Sequence, residues 1–190
     1  MYVRDAKNRE EVWLLDRLEE FGFEDAAFRS RDYVLAIEEP TGEKMGFGRL
    51  RVHRTEEGEV CEVTNLGVLR DFRGNGVGAH ILERLIETAR EEGFETVYAL
   101  SPAPSYLEQF GFEPVDSETL PAALENRQEA IRETHPDAAP AVIDVEDFHV
   151  PRRLRRRFGS DDDESTDSKE RPEDFGIDPE TATYKYDVSD

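Results

Sequence analysis

The chain has 190 residues, 37% hydrophobic and 36% charged, with 45 acidic against 24 basic side chains and a formal net charge of −21. A field of that sign repels phosphate backbones and excludes a nucleic-acid partner, and no apolar run reaches the roughly 18–20 residues that cross a bilayer. A single cysteine, Cys61, excludes an internal disulfide framework.

Residues 2–4 read as a first strand and residues 9–21 as a helix whose inner face is Val12, Leu14, Leu15 and Leu18. Residues 32–37 and 44–52 follow as strands, joined through Glu39-Pro40-Thr41-Gly42-Glu43, whose Pro and Gly suit a hairpin. A second hairpin at Glu56-Glu57-Gly58 leads into residues 60–68, a strand rich in β-branched side chains. After a short link, Arg73-Gly74-Asn75-Gly76-Val77-Gly78 opens a helix in which Val77, Ile81, Leu82, Leu85, Ile86 and Ala89 recur at helical spacing, and Gly93 stops it. A strand at 96–100, a short helix at 106–110, a last strand at 112–115 and a helix at 122–134 complete the pattern. This order predicts an α/β (α+β) fold, with a mixed central sheet whose N-terminal part is an antiparallel meander flanked by helices.

Three glycines within five residues let the backbone bring consecutive N–H groups close to a ligand, and the helix behind them adds unpaired donors and partial positive charge. An anion such as a pyrophosphate suits that element. A dinucleotide-binding fingerprint would use Gly74, Gly76 and Ala79, but it starts at the end of its strand, whereas residues 69–73 intervene here. No acidic residue closes the strand at 96–100 to hold a ribose.

The chain instead resembles the GNAT superfamily of acetyl-CoA-dependent N-acetyltransferases at three successive places. Arg73-Gly74-Asn75-Gly76-Val77-Gly78 matches the family pattern of Arg or Gln, two residues, Gly, one residue, then Gly or Ala. Asn65-Leu66-Gly67-Val68-Leu69-Arg70-Asp71-Phe72 is similar to the strand and turn before that pattern, and Tyr106-Leu107-Glu108-Gln109-Phe110-Gly111-Phe112-Glu113-Pro114 to the helix and Gly-Phe corner near its C-terminal end. The resemblance spans about residues 2–116. It implies a GNAT fold and acetyl-CoA as cosubstrate. Leu66, Gly67 and Val68 would pair with the pantetheine arm through their main chain, and Arg73, Gly74, Asn75, Gly76, Val77 and Gly78 would cradle the pyrophosphate.

The same resemblance implies catalytic roles for two side chains. Glu62, eleven residues before Arg73, matches the separation at which histone-acetylating members place their glutamate base, and Tyr106 is the candidate acid for the departing thiolate. The family tyrosine falls one position later, where this chain has Leu107. One residue is a rotation of about 100° on a helix, so Tyr106 is expected to point elsewhere, with its ring packed and its hydroxyl reaching solvent as its ordinary role. Ser101 is a second hydroxyl near the expected thioester, with a turn cap as its ordinary role. A Leu-Pro pair, Leu120-Pro121, placed after the Gly-Phe corner is similar to amino-acid acetylating members such as N-acetylglutamate synthases, and Arg29, Arg31 and Arg49 are available for an acceptor carboxylate.

The four histidines, His53, His80, His135 and His149, lack paired-ligand spacing, so no metal is expected. The partners expected are an amine substrate and at most a second copy of the chain as a homodimer, with neither nucleic acid nor membrane. Only four basic residues are lysine, and an acidic, lysine-poor chain suits high salt, which points to a halophilic microbe; with no signal-peptide core near Met1, the cytoplasm is the expected compartment. The domain is expected over residues 1–157, with its core at about 2–116 and a helical extension at 117–157. A run of five arginines within residues 151–157 precedes a tail at 158–190 whose Ser, Asp and Glu content reads as disorder. An acyl-CoA-binding adaptor that uses the arginines and the tail to hold partners is the alternative to an enzyme.

Overall fold

The computed structural model describes residues 1–155; Arg156, Arg157 and the acidic segment at 158–190 lie outside the described residues. Seven strands form one sheet: β1 (Tyr2–Asp5), β2 (Tyr33–Ile37), β3 (Lys44–Thr55), β4 (Gly58–Val68), β5 (Thr96–Ser101), β6 (Glu113–Pro114) and β7 (Ala139–Asp144), in the spatial order β1-β2-β3-β4-β5-β7-β6. The helices are α1 (Glu11–Phe21), α2 (Val77–Glu91), α3 (Pro104–Glu108), α4 (Ala122–Thr134) and α5 (Arg152–Arg155). Among the described residues no helix is long and apolar enough to cross a membrane.

Strand alternation distributes the core between the two faces of the sheet. Val34 and Ala36 of β2 join α2 in one cluster, while Tyr33, Leu35 and Ile37 join Leu14 and Leu18 of α1 in another. Cys61 and Val63 of β4 likewise face α2, so Glu62 and Thr64 face the opposite side, where Leu124 of α4 packs on Leu100 of β5. All six predicted apolar positions of α2 are buried. Burial among them pushes the Cys61 thiol up to about 12, which suits packing and not nucleophilic work.

The helix at the N-terminus is set differently from its expected face. Leu14 and Leu18 are buried, but Val12 is 70% and Leu15 44% exposed. Leu14, Leu18 and Phe21 follow each other at four and three residues and define the inner stripe; at about 100° per residue Val12 stands roughly 160° away from Leu14.

Every neighbouring pair of strands is antiparallel except β4 and β5, which are parallel and joined only at Glu62↔Tyr98 and Val63↔Ala99. Beyond that point β4 continues to Val68 beside β3, through a bulge at which Asn65 takes a φ of 52°, while β5 turns to a full six-residue pairing with β7. The two central strands therefore part, leaving one edge of residues 64–68 without a strand beside it among the described residues. Phe47 lies so close over Gly67 that a Cβ there would fall 2.5 Å from its ring. The sheet at the opening thus needs glycine at this position.

No strand is expected after residue 115, yet β7 occupies residues 139–144, between β5 and β6. Val145, Val150 and Leu154 then enter the main core, and the Arg90 guanidinium donates to the Val145 carbonyl at 2.7 Å. The region at 117–155 thus contributes a strand and core side chains in addition to its helices.

Candidate active site

The glycine turn adopts the geometry its composition implies. Gly74 and Gly76 have φ of 81° and 77°, left-handed values that favour glycine, and Gly76 stands as the N-cap of α2 with no side chain capping the helix. Arg73 donates through Nε to the Val68 carbonyl at 3.0 Å, and its guanidinium lies 5.8 Å from the centre of the Phe21 ring. A cavity of about 600 Å³ is lined by Val68, Arg73, Gly74, Gly76, Val77 and Gly78, and also by Tyr106 and Arg153. Arg153 of α5 bonds Gln109, and the burial of its neighbour Leu154 anchors the helix. One member of the basic cluster is thereby turned toward the glycine turn.

A second cleft, of about 450 Å³, opens where β4 and β5 part. Thr64, Asn65, Leu66 and Val68 form one wall and residues 99–103 another, with α4 and the loop after α1 closing the remaining sides. Gly67 itself does not line it. Tyr106 and Gly78 border both cavities and so mark their junction. A Cβ on Gly78 would stand 2.6 Å from the Tyr106 hydroxyl, which therefore sits directly over the start of α2.

Of the two neighbours, Tyr106 and not Leu107 lines the cleft. Leu107, at the family's tyrosine position, is 4% exposed in the main core, whereas Tyr106 faces the cleft and packs edge-on against Phe110 at 5.2 Å. Burial pushes its hydroxyl up to about 12. Ser101 lines the cleft, but its hydroxyl accepts from the Ala103 amide at 3.0 Å, the ordinary capping role.

Glu62 is neither exposed nor free. It is 0% exposed, and its two oxygens accept from Nε and Nη2 of Arg127 at 2.8–3.1 Å and face His53 Nε2 at 2.7 Å. Burial alone would push this carboxyl up, but the His53 contact and the charge and hydrogen bonds of Arg127 outweigh it and hold it below its ordinary value. Both carboxylate oxygens are thus engaged by Arg127 and His53, an arrangement that a role as base, direct or through a water, has to work through.

The residues that the sequence reading leaves out are Arg51, Arg127 and His135. Arg127 bonds Glu62 and the Thr64 hydroxyl from 65 and 63 residues away, and Arg51 and His135 line the cleft. His135 Nε2 is buried without a hydrogen-bond partner among the described residues, beside Phe23 at 6.1 Å between ring centres. Arg49, considered for an acceptor carboxylate, is instead held internally by Asp25, Asp32 and the Ala27 carbonyl. A usable signal existed in the alternation Arg49, Arg51, His53 along one strand against Glu62, Thr64 on the next.

The profile of the family described as Acetyltransferase (GNAT) family matches residues 2–112. An uncharacterised N-acetyltransferase of Escherichia coli (strain K12) is 32% identical over 85 residues, 42% of this chain and 51% of the relative. Another, from Chlorobaculum tepidum, is 27% identical over 66 residues, 35% of this chain and 43% of the relative. The chain thus spans about half the length of the curated relatives it matches. Among solved structures, a Mycobacterium tuberculosis protein in complex with CoA is similar with a TM-score of 0.64 at 14% identity, covering 76% of this chain and 99% of that one. The N-acetylglutamate synthase of Neisseria gonorrhoeae, complexed with coenzyme A and N-acetyl-glutamate, is similar with a TM-score of 0.60 at 20% identity, over 75% of this chain and 34% of that one. At these identities the likeness is one of fold.

Proposed function

The chain belongs to the Acetyltransferase (GNAT) family, and from that premise we propose that it transfers the acetyl group of acetyl-CoA to a primary amine. The observation that carries this reading is the parting of β4 from β5 after Val63↔Ala99, beside a helix N-terminus that no side chain caps. The main chain of Leu66, Gly67 and Val68 holds the pantetheine arm along the open strand edge. Arg73 to Gly78 hold the pyrophosphate through amide dipoles, which lets an acidic protein bind an anionic ligand. Arg153 adds a positive charge on the same side. Acetyl-CoA supplies the activated thioester.

Tyr106 is the donor of a proton to the departing sulfur, since burial keeps its hydroxyl protonated. His135 is the group assigned to accept the ammonium proton, because the residue lines the cleft and its buried Nε2 has no hydrogen-bond partner among the described residues. Glu62 serves as a positioning residue that fixes Arg127 and His53.

The test is thiol release from acetyl-CoA in molar KCl against amino acids, polyamines, aminoglycosides and N-terminal peptides, alongside the melting temperature with CoA. Release for one of these classes and a CoA-dependent rise in melting temperature are expected. A rise without release for any amine would favour the adaptor, and neither would remove the reading altogether. Gly76→Val forces a β-branched residue to a φ of 77°, a strain of about 1–3 kcal/mol. It is expected to abolish the CoA-dependent rise while the variant remains folded.

The acid excess and scarcity of lysine we read as adaptation to high salt in a cytoplasmic protein. Dialysis into salt-free buffer should then lower the folded fraction seen by circular dichroism. Full retention of the signal would overturn that assignment.

A further inference from the structure

Three arginines share the face of the sheet opposite α2: Arg49 and Arg51 stand two residues apart on β3, and Arg127 reaches in from α4. Two of them are engaged. Arg49 is held by Asp25 and Asp32, and Arg127 by Glu62 and Thr64. Arg51 is half-buried, lines the cleft, and makes no hydrogen bond or ion pair with any described residue. The carboxylates whose charges act on it are already paired, Glu62 with Arg127 and His53, Asp25 with Arg49 and the Tyr33 hydroxyl. Burial and the nearby charges of Arg127 and Arg49 push its pKa down, so an anion arriving there would meet a cation that no described residue pairs.

The cleft does not share the acidic excess of the whole chain. Acidic residues outnumber basic ones 45 to 24 in the sequence, yet among the described residues the cleft is lined by two arginines, Arg51 and Arg127, the latter paired with Glu62, and one carboxylate, Glu24 on the loop after α1. A solvated surface that merely followed composition would show the opposite ratio. The planar guanidinium fork suits two-point contact with a carboxylate, and Glu24 offers the opposite charge to an ammonium.

We propose that Arg51 anchors a carboxylate of the acceptor, which makes the acceptor an amine that also carries a carboxylate, such as an amino acid. This rests on the acetyl-transfer reading above. In that arrangement Arg51 selects the substrate while the glycine turn and Tyr106 keep their roles toward the cosubstrate.

The experiment compares amino acids with their matched carboxamides as acceptors, in wild type, Arg51→Gln and Arg51→Lys, with melting temperatures to verify folding. Wild type is expected to prefer the carboxylates by about tenfold or more in kcat/KM. Arg51→Gln should raise the acceptor KM by a similar factor, abolish the preference and leave the KM for acetyl-CoA within about twofold, with partial recovery in Arg51→Lys. Carboxamides used as well as carboxylates by wild type, or an unchanged acceptor KM in Arg51→Gln, would overturn the proposal. A second arm does not depend on turnover. Calorimetric titration of the same amino acids into CoA-saturated protein should give heat in wild type and not in Arg51→Gln, and an absence of binding in wild type at millimolar concentration overturns the anchor. Binding that depends on Arg51 without thiol release would instead retain the anchor and remove the enzymatic reading.

Discussion

Tyr106→Phe is expected to lower kcat by about 10²-fold or more while leaving the KM for acetyl-CoA nearly unchanged. The hydroxyl makes no hydrogen bond to any described residue and lies over Gly78 at the junction of the two cavities. Its removal therefore leaves the ring on Phe110 and should change stability by less than about 1 kcal/mol. That separates a chemical role from a packing role. Burial pushes the hydroxyl up to about 12, so it stays protonated through the neutral range, as a donor to the departing sulfur must. Steady-state rates with thermal melts on the same samples check both halves. A variant turning over at the wild-type rate would transfer the role to Ser101, another cleft hydroxyl, whose capping bond to Ala103 makes it less available.

Arg127→Met is expected to destabilise the fold by about 3–5 kcal/mol, because it strips a fully buried carboxylate of its bidentate partner and leaves only His53. Adding Glu62→Gln to that variant should recover part of the loss, since the uncompensated charge is then gone. The pH dependence has a definite sign. A carboxyl whose folded pKa is depressed contributes stability above its ordinary value of 4.5 and loses it as pH falls below. The gap between wild type and Arg127→Met should accordingly narrow as pH drops below 4.5. Glu10 behaves in the same sense, held down to about 2 by its hydrogen bonds from Arg4, so wild-type stability should decay between pH 4.5 and 2. Urea titrations of the three proteins at pH 7, 5 and 3.5 test this, and a constant gap across them would contradict it.

Local patterning made most of the sheet and the whole of α2 legible, since periods of two and of 3.6 residues report directly on which side chains are buried. The glycine turn was legible for a sharper reason: positive φ at Gly74 and Gly76 restricts the residue type, so composition carries the geometry. β7 was not legible. Its Ala139-Pro140-Ala141 opening lacks both alternation and β-branching, and it becomes a strand only because β5 presents a free edge to it. In α1, apolar content alone misassigned Val12 and Leu15, where the spacing of Leu14, Leu18 and Phe21 decides the face. The environment of Glu62 depended on an arginine 65 positions away, and no local window could join the two. Tyr106 shows the converse case: a motif read by position pointed to Leu107, and only the orientation of a five-residue helix revealed which side chain meets the cleft.

The late arrival of β7 has a consequence for biosynthesis. A nascent chain released from the ribosome only as far as residue 138 would carry β5 with a naked ladder of donors and acceptors on the side that β7 later covers, the kind of border that recruits foreign strands. Translation must run through residue 144 before that border is sealed, and through Leu154 before Arg153 is brought to the glycine turn. The glycine turn is thus synthesised well before the segment that completes the basic side of its cavity.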